Sequence, residues 1–120
     1  MEKRIEAIFY DKPDGTEPVR DFLDALGNNM RAKILWTMAY LEAAGTDIRE
    51  PHSKHLDDGI FELRAKVGTD ISRVLYFFMI GQRAVFTHGF LKKTDKTPPS
   101  EIEKAKKYRL EYLSREGSKK

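Results

Sequence analysis

Five basic side chains are the first candidates for chemistry in this sequence. Four of them lie within or directly after runs in which apolar and polar residues alternate, and one lies in the polar stretch before such a run. The four are Arg64, Arg73, Lys92 and Lys93, and the one before the run is Lys54. Side chains from neighbouring strands can converge on one surface of a sheet. Arginine offers planar, bidentate hydrogen bonds to phosphate and keeps its charge at any working pH. The set therefore indicates a site for a phosphodiester.

Each of these residues can also be explained without a ligand. Arginines in strands pair with carboxylates such as Glu62, and lysines after a strand are commonly solvated. The alternation in "GIFELRAKV" points Arg64 away from the core, and we expect both arginines on an exposed surface of the sheet. His88 lies in an apolar run, where a hydrogen-bonded core histidine is the first expectation and a site residue the second.

Several classes of chemistry have no basis in this sequence. Because it contains no cysteine, disulfides, thiolate-bound zinc, iron-sulfur clusters and thiol nucleophiles are excluded. His52 and His55 occur in a polar connector without a third ligand in reach, so we expect no metal. Walker, GxGxxG, HExxH and GxSxG motifs are also missing, so we expect no cofactor.

Composition predicts one small domain with a basic second half. With 120 residues and 40% hydrophobic content, the chain suits a single core, which we assign to residues 1–116, with 117–120 as a disordered tail. Residues 52–120 hold 15 Lys/Arg against 9 Asp/Glu, so an anion is expected on this half. The sequence begins with charged residues and contains no apolar run of about 18 residues. Both features predict a cytoplasmic protein without a membrane partner.

Periodicity and turn residues predict an α+β domain of the order β-α-α-β-β-β-α with a mainly antiparallel sheet. A polar connector at 46–59 separates the helices from a three-stranded meander. Trp36 and Tyr40 form a second stripe on the second helix, which we assign to core packing, with partner binding as the alternative. The predicted elements are a strand at 4–10, helices at 17–27 and 28–45, strands at 59–67, 71–80 and 83–91, and a helix at 97–113.

Three runs resemble the phage-related HigB branch of the RelE/ParE superfamily of toxins from toxin-antitoxin systems. They are "KHLDDGIFELR", "RVLYFF" and "HGFLKKTDKTPPSEIEKA", and together with the order of the elements the resemblance covers nearly the whole chain. The most specific matches are Glu62-Leu63-Arg64, Arg73 with Tyr76, Phe90, Lys92-Lys93-Thr94 and Thr97-Pro98.

The resemblance implies a RelE-like domain that cleaves mRNA on the translating ribosome. It also implies a HigA-type helix-turn-helix antitoxin, through which alone the toxin would meet operator DNA. RNA carries its own nucleophile, the 2′-OH, so neither a metal nor a cysteine is needed. The implied catalytic residues are Arg64 and Arg73 on the phosphate and Lys92 and Tyr76 for proton transfer, with His88 and the other lysines as further candidates for that transfer. The implied substrate-binding residues are Lys54, Lys93 and His88.

Two other functions remain open at this point. A ParE-like relative shares the scaffold but poisons DNA gyrase by binding, without cleaving RNA, and fold alone does not separate the two. A non-catalytic RNA-binding or adaptor module would also use a basic sheet. The arginines and lysines favour the nuclease.

Overall fold

The computed structural model describes residues 5–79, 81–91 and 96–117 and confirms the predicted α+β class. The predicted strand at 59–67 and the two that follow it form an antiparallel meander, as expected. The elements in chain order are β1 (Glu6–Phe9), α1 (Pro18–Asp24), α2 (Asn28–Ala44), a short 3₁₀ turn (Gly45–Asp47), β2 (Ser53–Asp57), β3 (Ile60–Val67), β4 (Asp70–Met79), β5 (Arg83–Leu91) and α3 (Pro99–Gly117).

The five strands form one sheet in the order β1-β5-β4-β3-β2. The pairs β2–β3, β3–β4 and β4–β5 are antiparallel, whereas β1 runs parallel to β5, with Glu6 opposite Arg83 and Phe9 opposite Phe86. The first strand of the chain therefore pairs with the last, and β4 lies in the middle of the sheet.

Strand β2 corrects the prediction that residues 46–59 form a connector without a strand. It pairs with β3 from Ser53 opposite Leu63 to Asp57 opposite Ile60. An edge strand is hydrogen-bonded on one side only and tolerates polar side chains, and Lys54, His55 and Asp57 are all exposed. Its sequence therefore lacks the apolar alternation that marks the other strands.

Helices cover the sheet on both faces, because the inner strands carry apolar residues on both sides. On one face, Val74 and Tyr76 of β4 pack against α1 and α2. On the other, Leu75 and Phe77 pack against α3 through Ala105 and Tyr112. Among the described residues, no helix combines the length and apolarity of a membrane span.

Helix α2 buries one stripe and exposes another. Its buried residues are Met30, Ile34, Thr37, Met38 and Leu41. Trp36 and Tyr40 are 55% and 40% exposed, so their assignment to the core is wrong. The first stripe fills the space above the sheet, and Trp36, two residues beyond Ile34 on a helix, points roughly 200° away from that side chain.

Candidate anion-binding site

Arg64 and Arg73 are direct cross-strand neighbours on the face of the sheet that α3 covers. Strand pairing places Arg64 of β3 opposite Arg73 of β4. Like charges in this arrangement destabilise a sheet unless a counter-charge lies between them. Glu62 supplies it, because its Oε2 lies 3.1 Å from Arg64 Nε and 4.0 Å from Arg73 Nε. The two arginines thus share one carboxylate.

Arg73 is a buried residue, which corrects the expectation that both arginines lie on an exposed surface. Its exposure is 0%, and that of Glu62 is 1%. Arg73 Nη1 donates to Thr97 Oγ1 at 3.4 Å, and the Thr97 hydroxyl donates to Glu62 Oε1. Because Thr97 lies just before α3, this network fastens the start of the helix to the sheet. Sequence alternation showed which face Arg73 occupies but not that a helix covers it.

Arg64 is the accessible member of the pair. Its side chain is 22% exposed, and its Nε is held by Glu62. Within the ranges that the structure describes, Glu62 is its only ion-pair partner, and no hydrogen bond from Nη1 or Nη2 to a side chain is present. The terminal fork of the guanidinium is therefore oriented by its own strand and available to an anion.

A cationic groove adjoins Arg64 at the edge of the sheet. Its volume is about 350 Å³, and it lies where β3 continues past the start of β2 and faces helix α2. No carboxylate is among the described side chains that line it, which makes the groove suitable for a phosphate group. The lining residues are Lys33, Pro51, His52, Arg64, Lys66 and Ile71.

Five of the six groove residues were not in the predicted site, and three of these five have basic side chains. Lys66 had a signal, because it lies two residues after Arg64 on one strand and so shares its face. Lys33 comes from α2 and His52 from the turn before β2, and no local pattern connects either to Arg64. Lys54 was predicted, and the structure places it exposed on β2 opposite Glu62, outside the lining of the groove.

Tyr76 is not brought together with the arginines. An offset of three along a strand places it on the opposite face from Arg73, where it packs in the core against α1 and α2. It is fully buried, its hydroxyl is hydrogen-bonded to that of Ser53, and burial raises its pKa to about 12. The odd offset in the sequence was a signal that the two side chains would diverge.

His88 shares the arginines' face of the sheet but is enclosed between β5 and α3. Its Nε2 lies 2.9 Å from Glu101 Oε1, and its Nδ1 lies 3.1 Å from Thr87 Oγ1. Burial lowers the pKa of His88, although the Glu101 carboxylate opposes the shift. At neutral pH the ring is a second polar link between α3 and the sheet, as expected for a core histidine.

The predicted Lys92 and Lys93 lie outside the described residues. They follow Leu91, the last residue of β5, whose neighbour Phe90 pairs with Arg73. The described ranges hold no group of three or more His, Asp or Glu residues arranged to bind a metal ion. What the described part of the site offers is one oriented guanidinium fork beside a groove of positive charge.

Comparison with protein families identifies a family to which the chain is similar. The model for "Phage derived protein Gp49-like (DUF891)" matches residues 21–110, from α1 into α3, which is well over half of the chain. A comparison with curated proteins gives no match. The Gp49-like family is a RelE/ParE-like toxin family associated with toxin-antitoxin systems, whose toxins have an antitoxin partner. The chain with the buried Glu62–Arg73 pair and the cationic groove belongs to this Gp49-like family.

Proposed function

We propose that this chain is a HigB-like toxin that cuts translated mRNA at the ribosome without a metal ion and is neutralised by a HigA-type helix-turn-helix antitoxin. The observation that carries the proposal is the Arg64 fork, which is held at Nε by Glu62 and opens beside a groove whose described lining contains no carboxylate. A planar fork is the group that recognises a phosphodiester best. Membership of a toxin family supports the same conclusion.

The proposed reaction is an in-line displacement at phosphorus within the RNA strand. The 2′-oxygen forms a bond to the adjacent phosphorus, and the bond from phosphorus to the 5′-oxygen of the next nucleotide breaks. A base accepts the proton from the 2′-OH, and an acid gives one to the leaving oxygen. The products are a 2′,3′-cyclic phosphate and a 5′-hydroxyl end, and no water is consumed.

Arg64 would contact the phosphate and offset the charge of its transition state, as oriented cationic donors do in other phosphoryl transfers. Arg73 acts through Glu62 as a positioning residue, because it is buried and holds the carboxylate that orients Arg64. Lys92 is the candidate for proton transfer, and Lys54 and Lys93 would add positive potential. Tyr76 and His88 receive no proton-transfer role, since both are buried in hydrogen bonds of the fold.

An in vitro translation extract with mapping of message 5′ ends tests the proposal. The protein should produce new ends within translated codons, and those ends should carry a 5′-hydroxyl. Arg64→Ala should lower cleavage about a hundredfold or more, as loss of one preorganised donor does elsewhere. Arg64→Lys should rescue poorly, because lysine keeps the charge but not the planar fork.

Arg20→Ala is the matched control. Arg20 also pairs through Nε with a glutamate, Glu17, at 2.7 Å, but it lies on α1 and is 63% exposed. Its replacement should leave cleavage unchanged. Full activity of Arg64→Ala would remove Arg64 from the site, 5′-phosphate ends would exclude attack by the 2′-OH, and DNA breaks trapped on gyrase without RNA cuts would replace the nuclease by the ParE-like function.

A further inference from the structure

Three aromatic side chains lie together on the exposed face of α2 and beside it, and the proposed reaction assigns them no role. Trp36 and Tyr40 are stacked, with ring centroids 5.7 Å apart and an interplanar angle of 18°. The ring of His52 lies 4.9 Å from that of Tyr40 and 6.0 Å from that of Trp36. We define these three side chains as the aromatic ledge. Exposed aromatic rings in a row are unusual on a surface that has no partner.

The aromatic ledge is continuous with the cationic groove. His52 belongs to both, since it lines the groove beside Arg64. Lys33 also belongs to both, because it lines the groove and its Nζ lies 5.7 Å from the centre of the Trp36 ring. A phosphate in the groove could draw this flexible side chain off the ring and leave the ring open to another flat group.

Charge favours a nucleic acid over a protein segment as the occupant of the ledge. From residue 25 to residue 41 the sequence contains no Asp or Glu, so the side chains of this stretch of α2 offer no carboxylate to repel a phosphate backbone. Aromatic rings beside a cationic channel are the recurring arrangement in proteins that bind single strands, where bases stack on rings and the channel follows the backbone.

We infer that the aromatic ledge is a base-stacking subsite for the mRNA strand whose phosphate is held at Arg64. The inference rests on the proposed function and extends it, because it assigns a place to bases that flank the cut. Stacking accepts any base, since every base has a flat π face. The ledge therefore contributes affinity and alignment of the strand, while codon preference is decided elsewhere.

The sequence contains one tryptophan, so Trp36 reports on its own subsite. A single-stranded 2′-O-methyl RNA oligonucleotide carries bases and phosphates but no free 2′-OH, and it would bind without being cut. Its addition should quench Trp36 fluorescence, and added salt should reverse the quenching. An oligonucleotide of the same length made of abasic units should bind more weakly and leave the fluorescence unchanged.

Variants separate stacking from a general apolar contact. Trp36→Ala should weaken binding of a labelled 2′-O-methyl oligonucleotide roughly tenfold or more in fluorescence anisotropy, whereas Trp36→Phe should retain most of the affinity. Leu35→Ala is the matched control, because Leu35 is the neighbouring side chain on α2 and is 46% exposed but has no ring. It should bind like the wild type.

Three results would overturn the inference. The first is unchanged fluorescence and unchanged Trp36→Ala affinity in a protein that still cuts mRNA, which would leave the nuclease intact but remove the subsite. The second is loss of antitoxin neutralisation in both Trp36→Ala and Leu35→Ala with normal RNA binding, which would make the ledge a protein interface. The third concerns ribosome complexes with an uncuttable 2′-deoxy codon, in which 4-thiouridine in the message should crosslink to residues 28–44; crosslinks only to residues outside that range would overturn the inference. Binding and quenching without any mRNA cleavage would support the ledge and refute the nuclease.

Discussion

Replacing Arg73 by alanine should destabilise the fold much more than replacing Arg64. Arg73 is fully buried, and its guanidinium lies near Glu62, which is buried as well. Removing Arg73 leaves the carboxylate inside the protein with less compensation and opens a cavity between the sheet and α3. Arg64 is partly exposed, and its removal leaves Glu62 with Arg73 and the Thr97 hydroxyl.

The expected sizes follow from these contacts. Breaking a buried ion pair by removing one partner costs about 3–5 kcal/mol. Because Arg64 Nε still lies 3.1 Å from Glu62, the lower part of that range applies, and we expect about 3 kcal/mol for Arg73→Ala. For Arg64→Ala we expect about 1 kcal/mol, close to the upper value for exposed pairs. Arg73→Met retains much of the side-chain volume, so its difference from Arg73→Ala measures the cavity.

Urea unfolding followed by circular dichroism measures these differences. With a slope of about 1–3 kcal/mol per molar urea for a protein of this size, Arg73→Ala should lower the midpoint by about 1 M or more. Arg64→Ala should lower it by well under that amount while abolishing most mRNA cleavage. With this slope, midpoints that agree within about 0.2 M correspond to nearly equal free energies of unfolding. Such agreement between the two variants would refute the assignment of Arg73 to the fold and of Arg64 to the substrate.

Three further outcomes are expected. Tyr76→Phe should leave mRNA cleavage unchanged and lower the free energy of unfolding by about 1 kcal/mol, since only the buried hydroxyl contact is lost; a drop in cleavage at normal stability would return Tyr76 to the site. Gly89→Ala should cost about 1–3 kcal/mol in urea unfolding, because a Cβ there would lie 2.4 Å from the Phe22 ring, whereas Gly27→Ala meets nothing within 4 Å and should cost less. Burial holds the pKa of His88 below its ordinary value of about 6.5, so unfolding takes up a proton below that pH and the free energy of unfolding should fall as the pH decreases through this range. His88→Gln should flatten that slope in unfolding curves measured at stepped pH, and an unchanged slope would contradict the assignment.

The sequence predicted those elements whose period and turn residues are strong. Pro18 in the first turn of α1 and Gly45 at the end of α2, where its φ is 60°, occur where expected. The parallel pairing of β1 with β5 was not predicted, because it joins segments far apart in the chain. Strand β2 was missed because an edge strand can be polar.

Part of the site was also predictable, because it depends on the alternation of side chains along a strand. Alternation along a strand states which side chains share a face, and Arg64 and Arg73 do. It does not state what covers that face, and the position of α3 decides that Arg73 is buried and Arg64 is not. Lys33 and His52 reach the groove from other elements, and only the tertiary structure shows this.

Because β1 pairs with β5, the sheet can be completed only after β5 has been synthesised. The strands β3, β4 and β5 of the meander are neighbours in the chain. Strand β1, in contrast, is synthesised first and pairs only with β5, where Glu6 lies opposite Arg83. Contacts between such distant segments are slow to form, and a growing chain forms them only after the later segment has left the ribosome. If the chain acts on ribosomes as proposed, its fold would therefore stay incomplete until β5 has left the ribosome that makes it.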